Sequence, residues 1–389
     1  MVVVLVIAAI WRIATETTPP LIVHQTLAAY VRMPGSAPVL AWPSEGQAAM
    51  EVEGLGSLGD SGRSVPVPIA SVAKVMTAYI TLREHPLDTD DGGFVMTVTA
   101  ADVEEERQRV ALGESTLSVR SGERISERQA LQALMLPSAN NVAALLARHD
   151  AGGIAPFVSR MNSTAQALHM HSTTYTDPSG FSDETVSTAA DQLILARAAM
   201  RIPTFAQIVD EPTAVLPVVG RVANYNGLVG TDGYVGVKTG SDRAAGGCLV
   251  FAKHVTIAGR RLTVLGVVLG QRSGSLIEAA LTSAERLGDS AAASLHLGTV
   301  LPARTSVLSA SSVDGRRTVA VTARSLRQIG WGGEPIPANV VVRPAMTRLK
   351  AGEPMATVVL RGVRVAKTSA ISAHTVGGPS LGWRLRHLF

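Results

Sequence analysis

The chain has a single cysteine, Cys248, in 389 residues, which excludes an intramolecular disulfide. It stands in an apolar stretch with no histidine beside it, so it reads as a small buried hydrophobe rather than a thiol nucleophile. There are nine histidines and no Cys/His pair at ligand spacing, so neither a metal site nor a cofactor is expected. Aromatic residues make up 4% of the chain, and no aromatic-interleaved stack accompanies the arginines. No recognition helix is legible either, and nucleic acid is not an expected partner. Glycine and proline, 36 and 20 residues, are not abundant enough for a disordered or collagen-like chain. The apolar run Val2 to Trp11 covers ten residues, whereas a bilayer-crossing helix needs about 20. No basic residue precedes that run and no clear small-residue cleavage site follows it, so it reads as an imperfect signal peptide, either the end of a truncated signal or anchor or a short interfacial segment.

Acidic residues are scarce at one end. Residues 300–389 carry 13 Arg and Lys against 3 Asp and Glu, which leaves 22 against 28 for the rest. The larger part is therefore mildly acidic and the carboxy-terminal part basic, a balance suited either to a solvated face or to anionic lipid head groups or wall polymers. The hydrophobic fraction of 46% is that of a globular chain, and the length suffices for two domains.

Three short segments carry chemistry. Ser71 and Lys74 are three residues apart at the start of an expected helix, so hydroxyl and amine share one face. A serine hydroxyl needs a base within hydrogen-bond reach, and a lysine serves if burial or neighbouring cations lower its pKa. Ser138 and Asn140 follow a helix expected from Ser126 to Met135, capped by a Ser126/Gln129 box and broken by Pro137, with a second helix resuming at Asn141. Such a break can push polar groups into a cleft, although a plain helix–helix turn has the same composition. Lys238, Thr239 and Gly240 lie in an alternating segment before two strands, 247–255 and 260–270, joined at Ala258-Gly259. On a sheet edge the lysine can hold a carboxylate, the threonine can donate to it, and the glycine admits a substrate backbone. A solvated edge lysine is the alternative.

Ser-x-x-Lys, Ser-x-Asn and Lys-Thr-Gly in this order, separated by roughly 65 and 100 residues, form the signature of penicillin-recognising serine enzymes. The chain resembles their D-alanyl-D-alanine carboxypeptidase branch over about residues 36–298. The segments Pro68–Ala78, Met135–Ala144, Tyr175–Phe181, Ser187–Asp191 and Asp232–Gly240 extend the likeness. The resemblance implies an α/β penicillin-binding fold, an antiparallel sheet flanked by helices plus a helical lobe. It implies Ser71 as nucleophile, Lys74 as its base, Ser138 as proton relay and Asn140 as an orienting group. Lys238, Thr239, Gly240 and Ser241 would bind substrate, with the Ser71 and Ser241 amides as oxyanion hole. The implied partners are a stem peptide ending in D-Ala-D-Ala and β-lactam inhibitors, and the implied location is extracytoplasmic. Residues 1–35 are then a truncated signal or anchor followed by a linker from about Thr15 to Pro34.

The same likeness orders the chain. Strands at Val39–Trp42 and Ala49–Glu53 are expected to join those between 247 and 270, and a helix from Ser275 to about Leu297 to pack on the sheet. The long Gly- and Ser-rich stretch Glu51–Pro66 is expected to be a loop. Residues 299–370 alternate apolar and polar positions and predict a small β domain. The tail 371–389, with Trp383 to Phe389, is too short to span a membrane but could lie on one.

Alternatives share parts of the logic. A class A β-lactamase has the same three-part site, but here Ala139 stands where it has Asp, no Glu-x-x-Leu-Asn occurs in 160–190, and the β domain has no counterpart. A DD-endopeptidase or transpeptidase differs only in the bond cut or the acceptor. A non-catalytic wall-binding protein would be expected to have lost some of Ser71, Lys74, Ser138, Asn140 and Lys238.

Overall fold

The structure, a computed structural model, describes Ile7, Trp11, Thr15 and residues 18–386. Apart from Ile7 and Trp11, the apolar run Val2–Trp11 lies outside the described residues, as do the last three residues of the tail. Two units divide the chain: residues 39–293, and residues 1–38 with 294–389.

The larger unit is built on a five-stranded antiparallel sheet. Its order is Tyr234–Asp242, Gly246–Ile257, Arg260–Gln271, Gln47–Val52, Gly56–Ser61. The long central hairpin turns at Ala258 and Gly259, both with positive φ, the conformation a tight turn requires. Gln47–Val52 pairs with Arg260–Gln271, so an early segment is hydrogen-bonded to a late one. Two expectations need correction. Val39–Trp42 is not a strand: Pro38 and Pro43 bracket it, neither can donate to a ladder, and Val39 is 94% exposed. The Gly- and Ser-rich stretch is not wholly a loop, because Gly56–Ser61 forms the far edge of the sheet.

Helices cover the sheet and form a lobe beside it. Helix Ala189–Met200 packs on strands Gln47–Val52 and Arg260–Gln271. Helix Leu276–Ser294 follows the sheet with Ala280, Ala284, Leu287 and Ala291 buried. At the centre of the lobe lies helix Lys74–Glu84, whose residues Lys74 to Leu82 are all buried. A helix buried on every side is apolar or internally paired all round, so the one cation on this helix's inward surface, Lys74, is exceptional. The Ser126/Gln129 capping box forms at the head of helix Glu127–Met135, and after Pro137 the chain re-enters helix at Asn140–Ala151.

The second unit carries a seven-stranded sheet. Its order is Ile22–Gln25, Ser306–Ser311, Arg317–Thr322, Val365–Ser372, Pro354–Arg361, Pro335–Val342, Tyr30–Arg32. A separate pair joins His296–Leu301 to Leu326–Gly330. The expectation of a linker over Thr15–Pro34 is corrected here. Its residues form both edge strands of the sheet, and Leu21 and Met33 enter the core. Covering two otherwise open edges is the physical gain. The sheet runs past residue 370 to Ser372, with a further bridge at Val376. Leu381–Arg386 is a short helix. Among the described residues no helix is long and apolar enough to cross a membrane.

Candidate active site

Ser71 lies in a 3-10 turn, Ala70–Ala73, that runs directly into helix Lys74–Glu84. The register puts Lys74 Nζ 2.7 Å from Ser71 Oγ, and the amine also donates to the Ser179 carbonyl at 2.9 Å. Lys74 is fully buried. Burial first, and then the charge of Lys238, hold its pKa well below the usual lysine range.

The Ser179 carbonyl is aimed by a loop within Tyr175–Phe181, outside the three short catalytic segments. The Asp177 carboxylate accepts from the Ser179, Gly180, Phe181 and Ser182 amides and from the Ser179 and Thr185 hydroxyls. Burial opposes its ionisation, but these hydrogen bonds hold its carboxyl below the usual range. Thr77, one turn after Lys74, donates to the Pro178 carbonyl at 2.6 Å. A side chain at Gly180 would collide with the Ala70 carbonyl, so loop and nucleophile turn are in direct backbone contact.

Ser138 occupies the break between helices. Its φ is +67°, a left-handed value unusual for a residue with a side chain, and its buried hydroxyl has no hydrogen-bond partner. Asn140 opens the next helix. Its Nδ2 donates to Glu114 Oε2 at 2.7 Å, and its Oδ1 is buried without a partner. Glu114 is in turn paired with Arg109 at 2.8 Å, and Arg109 with Glu105. The charges of Glu114 and Arg109 both reach Lys74, raising and lowering its pKa respectively, so this chain of ion pairs borders the amine. Asn141 fixes the Glu114 segment by exchanging two hydrogen bonds with the Leu117 backbone.

Lys238, Thr239 and Gly240 lie on Tyr234–Asp242, the edge strand of the sheet. Lys238 is 1% exposed and its ammonium nitrogen has no hydrogen-bond partner. Burial brings its pKa down to about 7. Gly240 explains why this strand sits where it does: a Cβ there would come within 2.9 Å of the Ser71 amide nitrogen and 3.0 Å of the Ile69 oxygen and Val72 nitrogen. Only a glycine lets the strand touch the nucleophile turn. Ser241 follows, half-buried, paired with Gly247.

Ser71, Lys74, Lys238 and Gly240 are thus brought together from two distant segments, and Asn140 joins them through Glu114. Ser138 Oγ, Asn140 Oδ1 and Lys238 Nζ are buried without partners, and the Lys74 amine is buried beside Ser71. Buried polar groups are normally satisfied, so each of the three unpartnered atoms is open to a bond from a polar ligand. Sequence reasoning missed Glu114, Asp177 and Ser179 as site residues. Asp177 and Ser179 lie in Tyr175–Phe181, a segment singled out by the family likeness without roles for its residues, and Asp177-Pro178-Ser179-Gly180 also has turn composition. Glu114 offered none. Cys248 is buried, with its thiol pushed up to about 12 by burial, which suits an inert core residue.

The description D-alanyl-D-alanine carboxypeptidase matches residues 58–273 as a family. A D-alanyl-D-alanine endopeptidase of Pseudomonas aeruginosa is 34% identical over 209 residues, 51% of this chain and 63% of that protein. The D-alanyl-D-alanine carboxypeptidase DacB2 of Mycobacterium tuberculosis is 32% identical over 241 residues, 60% of this chain and 78% of the relative. Among solved structures, the Streptomyces K15 DD-transpeptidase superposes with a TM-score of 0.56 at 29% identity, over 66% of this chain and 98% of that one. A D-alanyl-D-alanine carboxypeptidase DacD from Francisella tularensis aligns over 88% of this chain and 96% of its own, with a TM-score of 0.60. At 20% identity it speaks for the fold alone.

Proposed function

Because the chain belongs to the D-alanyl-D-alanine carboxypeptidase family, we propose that it removes the terminal D-alanine from peptidoglycan stem peptides through an acyl-enzyme on Ser71. The observation that carries this reading is the 2.7 Å contact between Ser71 Oγ and a fully buried amine whose pKa is strongly lowered. Such an amine is neutral enough to accept the serine proton while an N–H still donates to Ser179.

The steps follow from the groups present. Lys238 and Thr239 receive the terminal carboxylate, which gives the unpartnered Lys238 ammonium its counter-charge. Lys74 takes the proton of Ser71, whose oxygen attacks the penultimate carbonyl. The Ser71 and Ser241 amides receive the developing oxyanion, and such donors are typically worth ~3 kcal/mol each. The Ser138 hydroxyl passes the proton on to the departing D-alanine nitrogen. Asn140, held by Glu114, turns Oδ1 towards the substrate backbone. Water then cleaves the ester. A penicillin follows the same path to the acyl stage and stays, because its leaving group remains attached.

A wall substrate puts the working site outside the cytoplasm. The 13 Arg and Lys of residues 300–389 suit contact with anionic lipid or wall polymer on that side. The Pseudomonas relative is named an endopeptidase, which favours cleavage of cross-linked stems as the second reading. One assay separates them. The purified chain is expected to release D-alanine from a synthetic stem pentapeptide, and Ser71→Ala to release none. Cleavage of a cross-linked dimer with no D-alanine from the pentapeptide would move the assignment to endopeptidase. Equal release by Ser71→Ala would refute both.

A further inference from the structure

At the far end of the helical lobe, His85, His149 and Asp150 bring one ligand atom each to within 4.8 Å of one another. The sequence hides this group, since His85 lies far along the chain from the other two. His85 is the C-cap of helix Lys74–Glu84, and His149 and Asp150 lie in the last turn of helix Asn140–Ala151. We propose that these three residues form a binding site for a divalent transition ion of the zinc class, which clamps together the C-terminal ends of the two helices that begin at the catalytic residues.

Three observations support the site. The Asp150 side chain is 0% exposed; its Oδ2 accepts from Thr81 at 2.6 Å, while its Oδ1 lies 3.3 Å from His85 Nε2 without a hydrogen bond. An orphaned buried carboxylate oxygen facing an imidazole nitrogen is the arrangement a cation would complete. Second, two nitrogens and one carboxylate oxygen are the donor set of open zinc sites. Ligands around a tetrahedral ion at 2.0–2.2 Å lie about 3.4 Å apart, so ion binding requires the three ligand atoms, now within 4.8 Å of one another, to draw closer, and His149 is the exposed member of the group. Third, the field is negative. Two helix C-termini meet here, which favours a cation. Arg160 pairs with Glu84 and donates to the Asp150 backbone carbonyl, leaving the Asp150 carboxylate unneutralised by it.

Phe94 shields the site, stacked on His149 at 4.0 Å and edge-on to His85 at 4.9 Å. The catalytic ends are distant: the helices have 11 and 12 residues, or about 17 Å each. An ion here therefore acts on helix position and not on the reacting atoms.

The test uses the full chain without an affinity tag, stripped with a chelator and titrated with Zn²⁺ by calorimetry and with Co²⁺ by visible absorption. One equivalent is expected to bind, and saturating Zn²⁺ to raise Tm by roughly 5–10 °C. His149→Ala and His85→Ala should each weaken binding at least 100-fold and abolish the Tm shift, while penicillin labelling of metal-free His149→Ala stays at the wild-type level. Absence of Zn²⁺ binding, or affinity unchanged in both histidine variants, overturns the proposal.

Discussion

Lys74→Met is expected to lose penicillin acylation, by at least about 10³-fold, while remaining folded. The size follows from the position of the amine. It is the base in contact with Ser71 Oγ, and among the described residues no second base is hydrogen-bonded to that oxygen. The fold should survive because Lys74 is a buried amine with no carboxylate among its hydrogen-bond partners. Methionine fills nearly the same volume and removes the cost of burying a polar group. Lys74→Arg should be as inactive as Lys74→Met, since a guanidinium keeps its proton. Stopped-flow acylation with a fluorescent penicillin reads the rate, and near-ultraviolet circular dichroism reads the fold. Wild-type labelling by either variant would remove Lys74 from the mechanism.

For Lys238→Ala, kcat/KM on a substrate with a free terminal carboxylate should fall by about 2–4 kcal/mol, or roughly 30- to 1000-fold. The pH profile supplies the sign. Burial lowers Lys238 to about 7 in the free enzyme, so the ammonium that binds the carboxylate is present below that pH and lost above it. Wild-type kcat/KM should therefore decline above about pH 7, and the variant should lack this alkaline limb. The acid limb should move as well. Lys238 depresses the Lys74 pKa through its charge, so its removal raises the pH at which Lys74 becomes a base. A substrate ending in an amide gives Lys238 no charge to hold, and wild type and variant should converge on it. The same loss on acid and amide substrates would show that Lys238 does not bind the carboxylate.

What was legible in the chain was local. Ser71 and Lys74 share a helical face by spacing alone, the Ser126/Gln129 box marks a helix start, and Pro137 marks its end, and each is realised. Lys238 on an edge strand followed from alternation and the hairpin after it. The unread parts depend on contacts between distant segments. Glu114 meets Asn140 where Asn141 and the Asn140 amide tie down the Ser115–Leu117 backbone. Ser179 reaches Lys74 across about a hundred residues through a loop organised on Asp177. The edge strands Ile22–Gln25 and Tyr30–Arg32 are four and three residues long, too short to show a period of two. Val39–Trp42 shows the converse error, since apolar composition was weighed above the flanking prolines.

Stacking of Gly240 against the nucleophile turn also limits what the site can become. Any larger residue would press on the Ser71 amide, the proposed oxyanion donor. Strand, turn and loop 177–182 are thus a single backbone assembly, and the catalytic side chains inherit their positions from it.

The most direct measurement is mass spectrometry of the chain after incubation with benzylpenicillin. One penicilloyl group per molecule is expected, located by proteolysis on the peptide containing Ser71, with no adduct on Ser71→Ala. An adduct on a different residue, or full labelling of Ser71→Ala, would contradict the account.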